Sequence, residues 1–568
     1  MASTSGPTSD PCSPKPVVTY FGEIHLLSAV VQKKLQTRLK SLQLSSLSSL
    51  PKEEQIQGFS DVCDGVEFIE LQKLPESQGQ YPRPLHKRPA LHTFWTECWK
   101  HETYTSITRP RIQKWLQGLE KGGVTECAIV YCITAEVRAK RQRTFSNFAT
   151  TSHVMEDMKN DFKGNELLLL RLVSSEESRV LDSLLAFCSQ VSSLCRAKFQ
   201  KDIEVEAELV AGRRNAACEP KELYGIFLQK LNLAVSYEMT LQNEEALLLY
   251  QEAATDLESA VSIICGSQTP PTWLRALQEA QCDSWDYPKL AWHNLAWKYL
   301  PAIQTCSSPL LHTHTYLLTR IAHLHFTLER AWTVSDLVIS TLHAMARQKR
   351  ALKLPLPDGS FDCWAYMACN ETVLAIMSRV NPDTLVDSTT SLLLVRAQLW
   401  HYALEKLHYI GGLCGLMPGN KAIEQNTSLI HTLINGISPV PFEVSSKEMV
   451  EDQGRKLRDI LISKDSFKQA YLMLGEMVIG AFKHAGRRRM AFRVGTKMAK
   501  FHRDLGMMPE AEELLSDICR FLLRGSVAGA VCPFLRPPGR LPEEPPPRGP
   551  VSSSVRAYNT FLYQFVKK

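Results

Sequence analysis

The chain has 568 residues, 44% of them hydrophobic and 22% charged, with a formal net charge of +6. That is ordinary globular composition for about three or four domains, or fewer where part of the chain is a solenoid without a single core. So mild a positive balance gives no ground for a nucleic-acid partner.

The 16 cysteines include no CxxC pair, so no zinc knuckles are expected. The N-terminal MASTSGPTSDPCSPKP has no apolar signal core. No uninterrupted apolar run reaches the roughly 18–20 residues of a membrane span. A cytosolic chain with reduced thiols is the expectation.

Residues 1–15 are rich in Ser, Pro and Thr and read as disordered. A strand follows at Pro16–Phe21, then an amphipathic helix from about Ile24 to Leu39 and a polar connector, Ser45–Gln57. Val66–Leu74 alternates as a strand should, Tyr81–Pro89 is a proline-rich loop, and Leu91–Trp95 is a third strand. A helix is predicted over Pro110–Lys121, with Ile112, Trp115, Leu116 and Leu119 on one face. Val124–Thr134 (VTECAIVYCIT) has the unbroken apolar character of a central strand buried on both faces. Helix 150–162, strand Leu167–Val173 and helix Ser178–Phe199 complete an alternating pattern. That alternation predicts a layered α/β domain with a largely parallel sheet.

Beyond about residue 200 strand signals nearly vanish. Helical stretches follow at 219–240, 244–264, 272–280, 288–304, 309–329, 333–350, 361–379, 388–411, 420–435, 445–462, 465–485, 487–505 and 509–523. Two turns repeat a pattern. Ala234 and Tyr237 precede Glu245-Ala246 at the same offsets at which Ala499 and His502 precede Glu510-Ala511. Small residues so placed let antiparallel helices pack closely, the logic of tetratricopeptide-like (TPR-like) repeats, although no regular period runs through the rest. Pro533–Pro550 is too proline-dense for helix or central strand. The expected organisation is therefore a disordered 1–15, an α/β domain over 16–200, an irregular TPR-like α-solenoid over 201–525 and a Pro-rich tail over 526–568.

An α/β head invites a search for a nucleotide site. After the first strand the chain reads Phe21-Gly22-Glu23-Ile24-His25. One glycine followed by an acid is the wrong chemistry for cradling phosphate, and neither a phosphate-binding loop nor a Rossmann glycine run is present. Nor is there a GxSxG elbow. Two HxH pairs, His312/His314 and His323/His325, could in principle ligate a metal. On a helix, residues two apart diverge, so partly exposed helix histidines are the expectation, with no catalytic, metal or cofactor site.

Two basic clusters, Arg138–Arg143 and Arg487-Arg488-Arg489, suit acidic lipid headgroups or an acidic partner; the bland reading is a solvated surface. Arg487, Arg488 and Arg489 are the chosen candidates for partner or membrane contact. Trp95, Trp99 and Trp115 read as core, with an interface role as the alternative.

Several segments, in order, carry a resemblance: LHTFWTECWKHETY (91–104), IQKWLQGL (112–119), MEDMKNDF (155–162), LAVSYEMTLQNEEALLLY (233–250), DCWAYMACNETVLAI (362–376), LWHYALEKLHYIGGLCGL (399–416) and MAFRVGTKMAKFHRDLGMMPEAEELL (490–515). Together they resemble the subunit 10 family of the trafficking protein particle (TRAPP) complex, a large subunit specific to TRAPP complex II. The resemblance spans roughly residues 16–525. It implies a GTPase-like α/β domain without nucleotide motifs, followed by the solenoid.

By the same resemblance the chain would be a non-catalytic scaffold, peripheral on Golgi and trans-Golgi membranes. Its partners would be the TRAPP core subunits and the other TRAPP II large subunit. Through that vesicle-tethering and nucleotide-exchange complex it would serve Rab GTPases of the Rab1 and Rab11 type indirectly, in ER-to-Golgi and intra-Golgi transport. The family continues into β-sandwich domains, whereas here the similarity stops near Arg524, so a C-terminally short form is expected. Two alternatives stand beside this: a generic helical-repeat adaptor of another trafficking assembly, and an enzyme using the α/β head. The latter requires a pocket at the carboxyl ends of the strands.

Overall fold

The computed structural model describes, apart from a few isolated positions, residues 16–26, 67–70, 84–133, 150–172, 177–213, 219–264, 271–279, 297–379, 385–418, 424–436 and 453–525. The expected helix over Ile24–Leu39, the basic run Arg138–Arg143, Trp99 and the Pro-rich tail lie outside these residues. By packing, the chain divides into two compact units, Met1–Val494 and Gly495–Lys568.

The head is a five-stranded sheet of β1 (Val17–Gly22), β2 (Glu67–Glu70), β3 (Pro89–Thr96), β4 (Cys127–Ile133) and β5 (Glu166–Arg171), in the order β2-β1-β3-β4-β5. Every pairing is parallel. All five strands fall where the sequence predicts them, and the order is one of the two common doubly wound arrangements. β4 explains why its sequence shows no polar alternation. Ala128, Val130 and Cys132 face one layer with Trp95, Leu168, Leu170, Phe187 and Val191. Ile129 and Tyr131 face the other with Phe94, Ile112, Trp115, Val154 and Met158. Burial on both faces removes any reason for polar residues in the strand.

Two helices cover the second layer, α1 (Arg109–Lys121) and α2 (Thr150–Asp161). The helix carrying α1 begins earlier than its sequence suggests, with a turn at His101–Thr103 and a π-helical turn at Tyr104–Thr108. Tyr104 donates to Asp161 (2.8 Å) and Arg109 pairs with the same carboxylate (3.1 Å), tying this turn to α2. The first layer is covered by α3 (Glu177–Arg213). Leu184, Phe187, Val191 and Cys195 pack on the sheet, while Phe199, Ile203 and Val210 belong to the core of the helices that follow. One helix therefore serves both cores, which is why it runs on to Arg213 and not only to the expected Phe199.

The helical array comprises α4 (Leu223–Met239), α5 (Asn243–Ile264), α6 (Thr272–Glu279), α7 (Leu300–Gln304), α8 (Leu310–Thr327), α9 (Thr333–Leu352), α10 (Ser360–Arg379), α11 (Leu385–Leu413), α12 (Thr427–Gly436), α13 (Gln453–Leu461), α14 (Lys464–His484), α15 (Arg488–Asp504) and α16 (Met508–Gly525). The matched alanines Ala234 and Ala246, and Ala499 and Ala511, are all buried. The two turns also share backbone chemistry. Leu241 and Gly506 each take a left-handed φ (61° and 81°). The next N–H then bonds back across the turn, Gln242 to Tyr237 and Met507 to His502, both at 2.9 Å. This is the Schellman closure that satisfies a helix's last carbonyls.

Two sequence features gain a cause. α10 is buried almost all round, from Phe361 through Cys369, as expected of a helix lacking a polar face. In the YIGGLCGL segment, a Cβ on Gly411 would lie 2.1 Å from Cζ of buried Phe467, so glycine sets how closely α11 and α14 approach.

Polar groups are also buried between α4, α5 and α8. The Arg320 guanidinium pairs with Glu238, with side-chain exposures of only 6% and 10%. Tyr250 donates to the same carboxylate (3.0 Å), and Arg320 lies 3.9 Å over the Trp297 ring. Removing one member strands a buried charge. Glu238→Ala is expected to cost about 3–5 kcal/mol in urea unfolding, whereas Glu238→Ala with Arg320→Met recovers most of the loss. Equal losses in the single and double variants would contradict this assignment.

Candidate functional site

In this strand order the connections from β1 and β3 diverge, so the carboxyl ends of these two strands are where a doubly wound domain binds its ligand. Here the two strand ends are hooked together. Gly22 turns at φ 102°, and a Cβ there would stand 2.4 Å from the Trp95 carbonyl. The Glu23 N–H donates to that carbonyl (2.9 Å), and the Glu97 N–H donates to Glu23 Oε2 (2.8 Å). His25 Nε2 lies 3.2 Å from Glu97 Oε1. A phosphate needs free backbone N–H groups and positive potential. This mouth presents two carboxylates, and they already engage the Glu97 N–H and the His25 ring.

Glu23, His25 and Glu97 bring donor atoms within 4.8 Å of one another. Two carboxylates and an imidazole have the chemistry of a divalent-cation site, though one carboxylate is committed to a backbone N–H and His25 is mostly exposed. No sequence motif shows this set, because Glu97 is distant from Glu23 and His25 in the chain.

The aromatic residues around the mouth are core. Trp95 packs on Phe187 with ring centroids 5.5 Å apart, and Trp115 packs on Phe94 at 5.5 Å. A buried relay wires β1 to β3. Trp95 Nε1 donates to Thr93 Oγ1 (2.9 Å), Thr93 Oγ1 donates to the Thr19 carbonyl (2.7 Å), and Thr19 Oγ1 bonds His92 Nδ1 (2.6 Å). Thiols in the head are the opposite of activated nucleophiles: burial pushes Cys98, Cys132 and Cys195 up, the last to about 12.

In the array, the four histidines of α8 join no metal-sized donor cluster among the described residues. The expectation that they are partly exposed holds for His312 and His323. It fails for His314 and His325, which are buried because their side of α8 faces neighbouring helices. His314 Nε2 bonds Gln348 Oε1 at 2.6 Å, and burial lowers its pKa. A groove of about 410 Å³ between α5, α8 and α9 is lined in part by Glu258, His314, Ser340 and Arg347.

Arg487, Arg488 and Arg489 stand exposed where α14 turns into α15. Gly486 (φ 71°) closes α14, with the Arg487 N–H donating to the Phe482 carbonyl (2.9 Å). The first turn of α15 contains no acidic residue.

A doubly wound α/β domain is continued here by antiparallel helical hairpins, an architecture that presents extended surfaces. Residues 12–214 match the family described as trafficking protein particle complex subunit 10-like, N-terminal. The chain is 25% identical over 500 residues to trafficking protein particle complex subunit 10 of Mus musculus and 25% over 503 residues to that of Homo sapiens. Each of these alignments covers 86% of this chain and 38% of the relative. The Drosophila melanogaster protein of the same name is 23% identical over 538 residues, 89% of this chain and 44% of the relative. The chain is thus similar to trafficking protein particle complex subunit 10 through both its head and its helical array. It spans about two fifths of the length of the relatives it matches.

The relay at His92 carries a pH dependence. Burial lowers His92 from 6.5 to about 4, against a weaker opposing pull from Glu126. The unfolded chain therefore takes up the proton first, and stability falls as pH drops from about 6.5 towards about 4. The urea midpoint is expected to be lower at about pH 5 than at about pH 7. His92→Asn should shrink that difference; an unchanged difference would rule His92 out as the group responsible.

Proposed function

We propose that the chain is a non-catalytic scaffold subunit of the TRAPP II complex, acting in ER-to-Golgi and intra-Golgi vesicle transport while peripheral on Golgi membranes. The observation that carries this reading is the extent of the similarity: it runs through both the head and the helical array, over 86–89% of the chain. The carboxylates at the strand ends support a head used as structure and surface. The TRAPP core subunits and the second TRAPP II large subunit are the partners this reading assigns. Rab GTPases of the Rab1 and Rab11 type would be served through the assembly, with no cofactor held by this chain.

Affinity purification of the tagged chain from cells, followed by mass spectrometry, tests the reading. Recovery of TRAPP core subunits together with the other large subunit is the expected result. A folded chain that recovers only a coat or another tethering assembly would replace it with the generic adaptor.

A further inference from the structure

An exposed leucine, an exposed tryptophan and a run of three arginines fall on the same edge of the helical array. Leu241, between α4 and α5, holds a left-handed φ of 61° while 81% exposed, where glycine or asparagine is the ordinary choice. Trp332, just before α9, leaves 55% of its large indole side chain exposed. Arg487, Arg488 and Arg489 crowd the N-terminal, positive end of α15, where the helix dipole favours acids.

The shared edge follows from contacts between successive hairpins. Arg330 beside Trp332 forks onto Glu244 (2.6 and 3.1 Å), which puts the α8–α9 turn next to the α4–α5 turn. Gln398 of α11 donates to Asp336 in the first turn of α9 (3.3 Å). His401, one turn further along α11, meets Phe482 at the end of α14 with ring centroids 5.9 Å apart. The α14–α15 turn and its arginines start a few residues beyond Phe482.

We propose that this edge is a contact surface for an anionic lipid bilayer, with Arg487, Arg488 and Arg489 as the electrostatic anchor and Trp332 and Leu241 as interfacial tips. The inference rests on the peripheral-membrane reading above and names the surface that would serve it. Arginine clusters are attracted to anionic headgroups, and indole rings favour the headgroup level of a bilayer. The apolar side chains stand singly at turns and are not gathered into a groove, which favours shallow insertion over a protein pocket. Glu245, Glu329 and Asp336 are exposed on the same edge and Glu244 is neutralised by Arg330, so attraction comes from the α14–α15 end.

The test is co-sedimentation of the full chain with vesicles of phosphatidylcholine alone and of phosphatidylcholine containing phosphatidylserine. Binding is expected only with phosphatidylserine present and should weaken as salt is raised. At about fivefold per arginine, R487A/R488A/R489A together should lose roughly a hundredfold in affinity. Alanines relieve a helix N-terminus of positive charge and Leu241→Gly suits the left-handed turn; circular dichroism of each variant serves as the fold control. Leu241→Gly and Trp332→Ser should each weaken binding severalfold, Leu241→Gly without lowering the thermal unfolding midpoint.

Failure to bind, equal binding to both vesicles, or wild-type binding by the arginine variant would overturn the proposal. Loss of co-purifying protein with intact lipid binding in that variant would assign the arginines to an acidic protein partner instead. Recovery of TRAPP subunits without lipid binding sinks this inference alone, and lipid binding without those subunits sinks the functional reading.

Discussion

Antiparallel packing in the array depends on how its helices stop. After Leu241, Cys306, Glu329, Lys353, Gly415, Gly486 and Gly506 the same geometry recurs, a left-handed residue followed by an N–H that reaches back to a carbonyl five residues earlier. That closure satisfies carbonyls a bare helix end would leave to water and reverses the chain within a few residues. Four of these positions are not glycine, and each costs about 1 kcal/mol for the left-handed backbone. The hairpins tolerate the cost because apolar and small side chains on either side, such as Ala234 and Ala246, close over one another completely. Without that stop, the buried Glu238–Arg320 pair and the Gly411–Phe467 approach would have no partners to meet.

Much of this was legible in the chain. The five strands, the two-faced burial of β4 and most helices follow from apolar period and length. So does the kinship of the α4–α5 and α15–α16 turns, read from paired alanines. What was not legible has physical causes. The helix before α1 starts at His101 because Tyr104 and Arg109 reach Asp161 on α2, a tertiary bond invisible in a run of Thr, Ser and Ile. α3 runs on to Arg213 because it serves two cores. The glycine pair in α11 looked distinctive without a reason until Phe467 was seen against Gly411.

The candidate site was legible chiefly in the negative. Gly22-Glu23 announced the wrong chemistry for phosphate, and the structure adds the mechanism: Glu23 commits its backbone N–H to Trp95 and its carboxylate to Glu97. The histidines of α8 could not be sorted from sequence, since which of two HxH members is buried depends on which helices pack against α8. The arginine cluster was visible as a charge run. That it shares an edge with Trp332 and Leu241 required the contacts between hairpins.

In the proposed scaffold role, this chain acts through the surface of its helical array and not through the strand ends of its head. Hydrogen–deuterium exchange, comparing the chain alone with the chain in its purified assembly, tests this directly. Slowed exchange along helices and turns of the array is expected, with amides at Glu23 and Glu97 unchanged, also when guanine nucleotide is added. Protection centred on Glu23 and Glu97 on adding nucleotide, with the array unaffected by assembly, would contradict it.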